Sequence, residues 1–121
     1  MAKKVLIIDD EKDIVETISF MLKQKGFECL QAYDGEEGLK SAKENNPDLI
    51  ILDVMMPKFN GYKVCRLLKF DEKYKKIPII MVTARGLDED IQIGEETGAN
   101  EYITKPFDFN NLFEIVNKYL G

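Results

Sequence analysis

Histidine is absent from all 121 residues. That gap excludes Ser-His and Cys-His hydrolytic machinery, histidine-containing zinc sites and any phosphohistidine carrier. Carboxylates, hydroxyls and lysines must carry whatever chemistry the chain performs. Cysteine is scarce too: only Cys29 and Cys65 occur, isolated from each other, and we read both as reduced and structural rather than as a disulfide framework. No apolar run approaches the roughly 20 residues of a membrane span. The start, Met-Ala-Lys-Lys before a short strand, lacks the apolar core of a signal peptide. The expectation is a cytoplasmic protein. Basic excess is missing as well, since 17 Lys and Arg face 22 Asp and Glu for a net charge of -5. That balance argues against non-specific binding to nucleic acid or anionic membranes. Lys73, Lys75 and Lys76 make only a short basic cluster, which reads as a solvated loop.

What remains is a composition suited to one domain with one core. Apolar runs of strand length alternate with amphipathic stretches of helical length, the rhythm of repeated βα units. Strands are expected near Lys4–Ile8, Glu28–Ala32, Leu49–Asp53, Pro78–Val82 and Glu101–Ile103. Helices are expected near Glu11–Lys25, Gly35–Asn45, Gly61–Phe70, Asp88–Thr97 and Asp108–Tyr119. Asp34 followed by Glu37 has capping-box spacing before the second helix. Gly26 and Gly98 sit where helices stop, and Asn45-Asn46-Pro47 breaks the chain before the third strand. There is no internal repeat, low-complexity tract or linker. The reading is α/β, a doubly wound five-stranded parallel sheet in a three-layer sandwich, with residues 1–121 forming a single domain and no output domain. On the first helix, Ile14, Val15, Ile18, Met21 and Leu22 share one face. Phe20 projects away from that stripe, either as a chance exposed aromatic or as part of a docking surface with Ile14 and Met21.

Three acidic side chains end two of the apolar runs: Asp9 and Asp10 after Val5-Leu6-Ile7-Ile8, and Asp53 after Leu49-Ile50-Ile51-Leu52. Ligand sites of open α/β sheets lie at the carboxyl ends of the strands, so the three carboxylates are expected at one rim. Clustered carboxylates repel one another and are stable mainly when a cation shares the site. Two further strands end in Thr83-Ala84 and Thr104-Lys105-Pro106. Singly, each has a bland reading: Asp10 as a helix N-cap, Thr83 as a turn residue, Lys105 as a surface ammonium. Jointly, those readings are poor.

Taken together, Ile7-Ile8-Asp9-Asp10-Glu11, Asp48 through Pro57 with Asp53, Gly61, Pro78 through Ala84, Gly98-Ala99 and Lys105-Pro106-Phe107 resemble the receiver domains of two-component response regulators, along essentially the whole chain. The resemblance implies the CheY-like, flavodoxin-like (βα)5 fold with strand order 2-1-3-4-5. It implies that Asp53 accepts a phosphoryl group from a sensor histidine kinase or a histidine phosphotransfer protein, a role a carboxylate can fill. Asp10, Asp53 and the backbone carbonyl of Met55 would bind Mg²⁺, or Mn²⁺ in its place, with Asp9 acting directly or through water. Lys105 and Thr83 would contact the phosphoryl oxygens, with the amides of Val54 and Ala84 as further donors. Lys105-Pro106 would be a cis bond.

The resemblance also implies a switch in which Thr83 moves toward the phosphoryl group and Tyr102 rotates inward behind it, altering the surface of the fourth helix, fifth strand and fifth helix. The bland reading of Tyr102 is a half-buried aromatic with its hydroxyl in water. Met55 and Arg85 would flank the path of an attacking water, and an apolar Met55 suggests slow self-dephosphorylation. The expected protein is a stand-alone signalling receiver, not an enzyme, monomeric or weakly dimeric on phosphorylation, with a protein target and no direct contact with nucleic acid or membrane. Two alternatives stand beside it: the receiver of a DNA-binding regulator, and a phosphatase of the haloacid dehalogenase type. The latter places its two aspartates two residues apart, whereas Asp9 and Asp10 are adjacent.

Overall fold

In Val5-Leu6-Ile7-Ile8 every side chain is apolar, so neither face of that strand tolerates water and each needs a covering layer. The computed structural model describes residues 2–56, 59–83 and 98–121 and supplies both layers. Five strands, β1 (Lys4–Ile8), β2 (Glu28–Ala32), β3 (Leu49–Asp53), β4 (Ile79–Thr83) and β5 (Glu101–Thr104), form one parallel sheet in the order β2-β1-β3-β4-β5. The described helices are α1 (Lys12–Gln24), α2 (Gly35–Asn45), α3 (Gly61–Lys69) and α4 (Phe109–Leu120). The helix expected near 88–97 lies outside the described residues.

Period-2 alternation sorts the strand side chains into two cores. Leu6, Ile8, Ile50, Leu52, Ile79 and Met81 pack with Ala42 of α2 and with Val64 and Leu68 of α3. On the opposite face Val5, Ile7, Leu49, Ile51, Ile80 and Val82 meet Val15, Ile18 and Leu22 of α1 and Leu112 and Val116 of α4. The central strands β3 and β4 are buried at every residue, whereas the edge strands β2 and β5 are only partly covered. The order reverses direction between β1 and β3, which opens the crevice where such folds bind ligands.

Element ends follow local chemistry. β4 begins at Ile79 rather than Pro78 because proline has no N–H to give the ladder; its carbonyl still accepts from Ile50 N at 2.9 Å. The side chain of Asp34 caps α2 by accepting from Glu37 N at 2.7 Å. Glu37 reaches back to accept from Tyr33 N, at 3.3 Å, one residue beyond the Asp34 amide that a reciprocal box would use. Asn60 and Asp108 cap α3 and α4 through their side chains. α2 ends on Asn46 in the left-handed region (φ 48°), a conformation asparagine tolerates. Gly61 begins α3 directly against the Asp53 carbonyl, where any Cβ would collide. Among the described residues no helix is long and apolar enough to cross a membrane.

Candidate functional site at the strand tips

The alternation that builds the cores also aims the polar residues. Asp9 continues the Val5, Ile7 series and Asp53 the Leu49, Ile51 series, so both belong to the face covered by α1 and α4. Asp9 and Asp53 are each only 3% exposed, while Asp10, one residue further, lies in solvent. One carboxylate oxygen from each of Asp9, Asp10 and Asp53 falls within 4.8 Å of the others. Lys105, which follows β5, reaches into this cluster. Its Nζ lies 2.9 Å from Asp9 Oδ2, 3.5 Å from Asp53 Oδ1 and 3.7 Å from Glu11 Oε1. The Lys105-Pro106 bond is cis, and Lys105 N donates to Thr83 O at 2.7 Å.

The electrostatics follow from burying like charges together. Loss of water and then the Asp9 charge push the Asp53 carboxyl up to about 6, although Lys105 pulls the other way. Asp10 is raised by the same two causes. Burial draws Lys105 down, but its hydrogen bond to Asp9 and the charges of Asp53, Asp9 and Glu11 outweigh that and leave it above the ordinary lysine value. One ammonium does not neutralise this group of carboxylates. A set of hard oxygen donors in close array suits a hard divalent cation, so the pocket could bind a metal of that class.

Each expected residue can now be placed. Asp9, Asp10, Asp53 and Lys105 converge. Thr83 ends β4 and is buried, on the face of Ile79 and Met81 by alternation. Tyr102 pairs in register with Met81 and packs into that same α2–α3 core. The Tyr102 hydroxyl is buried rather than in water as the bland reading required. Met55 is 53% exposed, and its amide points at Asp53 Oδ1 from 3.4 Å. The Val54 amide, expected to be a phosphoryl donor, is instead committed to Val82 O at 3.0 Å. The ladder between β3 and β4 continues one residue past Asp53 and consumes it. Pro57, Ala84 and Arg85 lie outside the described residues.

Asp10 is not the N-cap of α1. Glu11 holds that position, and its proximity to Lys105 gives it a place in the site that sequence reading missed. The available signal was a glutamate where capping favours Ser, Thr, Asp or Asn. On α1, Val15, Ile18 and Leu22 are buried as expected, but Ile14 and Met21 are only half-buried. Those two line a groove of about 510 Å³ with Glu11, Ile18, Pro106 and Phe107. Phe20, 62% exposed, is outside it.

An acidic, metal-competent pocket at the switch point of a five-stranded doubly wound sheet, closed by a lysine before a cis proline, defines a class, and comparison with known proteins gives the same class. The family model "Response regulator receiver domain" matches residues 5–117. The alkaline phosphatase synthesis transcriptional regulatory protein PhoP of Bacillus subtilis is 45% identical over 107 residues, 88% of this chain. This chain spans only 44% of that relative's length. The chemotaxis protein CheY4 of Vibrio cholerae superposes with a TM-score of 0.92 at 33% identity, covering 98% of this chain and 99% of that one. The response regulator DrrB of Thermotoga maritima, described as an OmpR/PhoB homologue, gives 0.89 at 33% identity, covering 99% of this chain and 53% of that one. The chain belongs to the response regulator receiver domain family of two-component signalling, whose members take phosphoryl groups from histidine kinases.

Proposed function

We propose that Asp53 is the phosphoryl acceptor and that the chain is a phosphorylation-driven signalling receiver rather than an enzyme acting on a released substrate. The supporting observation is the convergence of Asp53, buried at the β3 tip, with two further aspartates and the Lys105 ammonium. An Asp53 carboxylate oxygen attacks the phosphorus of a phosphohistidine on a kinase or phosphotransfer protein. The P–N bond breaks, the imidazole leaves with the electron pair, and Asp53 becomes an acyl phosphate. Lys105 faces the equatorial oxygens as they gain charge, with the Thr83 hydroxyl and the Met55 amide as further donors. Asp10, Asp53 and the Met55 carbonyl would hold Mg²⁺ or Mn²⁺, with Asp9 direct or through water; when bound, the ion supplies charge neutralisation at the phosphoryl oxygens.

On this reading Thr83 and Tyr102, which share the α2–α3 face, form the switch, and the altered surface lies around β5 and α4. The groove beside α1, with Ile14 and Met21 in its wall and Phe20 nearby, receives the phosphodonor protein. The chain acts in the cytoplasm through protein contacts. Incubation with Mg²⁺ and acetyl phosphate followed by intact-mass analysis tests the central step. One phosphoryl adduct is expected on the parent and none on Asp53→Asn. Undiminished modification of Asp53→Asn would move the acceptor elsewhere.

We propose the stand-alone form first, but the lengths of the relatives favour a second reading. This chain matches only part of PhoP and of DrrB, as the receiver portion of a transcriptional regulator would. The encoding gene decides between them: an open frame continuing past codon 121 into a second domain selects the regulator.

A further inference from the structure

Lys105 has three carboxylate neighbours, and the third behaves unlike the other two. Glu11 occupies the N-cap of α1 with extended backbone (φ -87°, ψ 103°), yet its side chain makes no capping hydrogen bond. An N-cap side chain ordinarily turns its oxygen onto its own helix. The Glu11 amide donates to Asp9 Oδ1 at 2.9 Å, which pins its backbone beside the pocket. Its carboxylate lies across from Lys105 at 3.7 Å, an ion-pair separation beyond hydrogen-bond range. The Asp9 and Asp53 side chains are 5% and 3% exposed, that of Glu11 63%. The ammonium therefore faces two buried counter-ions and one solvated one.

We propose that Glu11 is a positioning residue for Lys105, an exchangeable counter-ion that holds the ammonium at the mouth of the pocket and competes with the phosphoryl oxygens for it. The inference rests on the reading of Asp53 as acceptor. Asp9 keeps its short bond to Lys105, whereas Glu11 is bound by charge alone and is already hydrated. Its release costs little desolvation. An arriving phosphoryl group brings three acceptor oxygens and close to two negative charges, so it displaces Glu11 in preference to Asp9. Glu11 then sets how readily Lys105 becomes available, and removing its charge strengthens anion binding. Exposed ion pairs are weak, which limits the gain to about two- to five-fold.

Calorimetric titration of trifluoroberyllate, a phosphoryl mimic, in Mg²⁺ tests this without phosphotransfer. Glu11→Gln is expected to bind about two- to five-fold more tightly than the parent. Glu16→Gln removes the same charge five residues further along, from an exposed position on α1, and should match the parent. In a Lys105→Met background the gain from Glu11→Gln should fall. Unchanged affinity in Glu11→Gln, equal tightening in Glu16→Gln, or a gain undiminished without Lys105 would each overturn the proposal. A parent that binds no trifluoroberyllate would sink the acceptor reading and this inference with it; a parent that binds while Glu11→Gln is indistinguishable sinks the inference alone.

Discussion

Asp53 shows what burial does to a single side chain. With a folded-state value of about 6 against an ordinary 3.8, its neutral form suits the metal-free fold better than its charged form. It therefore stabilises the protein at pH below about 4, and that contribution is lost as pH rises through 6. In chelator, Asp53→Asn should be the more stable protein at pH 7, by on the order of 2 kcal/mol. The gap should close toward pH 4, as urea denaturation at both values would show. A variant no more stable than the parent at pH 7 would contradict this account of the pocket. The residue scale is also where sequence reading was uneven. Asp9, Asp10, Asp53 and Lys105 could be assigned to one rim because strand ends follow from hydrophobic runs. The commitment of the Val54 amide to Val82, and the approach of Glu11 to Lys105, depend on the path of the chain after the strand, which no pattern of residue types encodes.

At the scale of elements, β5 is short, at an edge and incompletely buried, so its position depends on its ties to α4. Tyr119 donates its hydroxyl to Glu101 Oε2, and Lys118 pairs with the same oxygen at 2.9 Å. The tyrosine bond, then the lysine, hold the Glu101 carboxyl below its ordinary value. The same partnership, after burial, pushes the Tyr119 phenol up to about 12. A depressed carboxylate stabilises the fold above its unfolded value and loses that contribution as pH falls. Tyr119→Phe should cost about 1 kcal/mol near neutrality, less below pH 4, measured by thermal or urea denaturation. A penalty independent of pH would mean that the hydroxyl bond is not coupled to the Glu101 charge. Among the described residues, strand and helix identities were legible in the sequence to within a residue or two at each end. The departures have local causes: Pro78 cannot donate to the ladder, and Glu11 stands outside α1 as its cap.

For the whole molecule, a surplus of acidic groups predicts behaviour that no single contact determines. With a net charge of -5 the chain should leave duplex DNA unshifted in gel electrophoresis at micromolar protein and moderate salt; a shift would require a basic surface that the composition does not supply. Topology was legible because four-residue apolar runs demand cover on both faces and crossover handedness leaves few arrangements. The groove beside α1 was not, because it arises where Ile14 and Met21 fall short of the sheet and meet Pro106 and Phe107 from the far end of the chain.

The two cores divide one molecule into two workshops. Asp9 and Asp53 continue the residue series on the α1–α4 side, while Tyr102 lies among the side chains of the α2–α3 side. On the proposed reading of Asp53 and Tyr102, their coupling crosses the thickness of a single β-layer, a partition one peptide deep. Substitutions beneath α2 and α3 meet Tyr102 directly, whereas substitutions beneath α1 reach it only across the sheet.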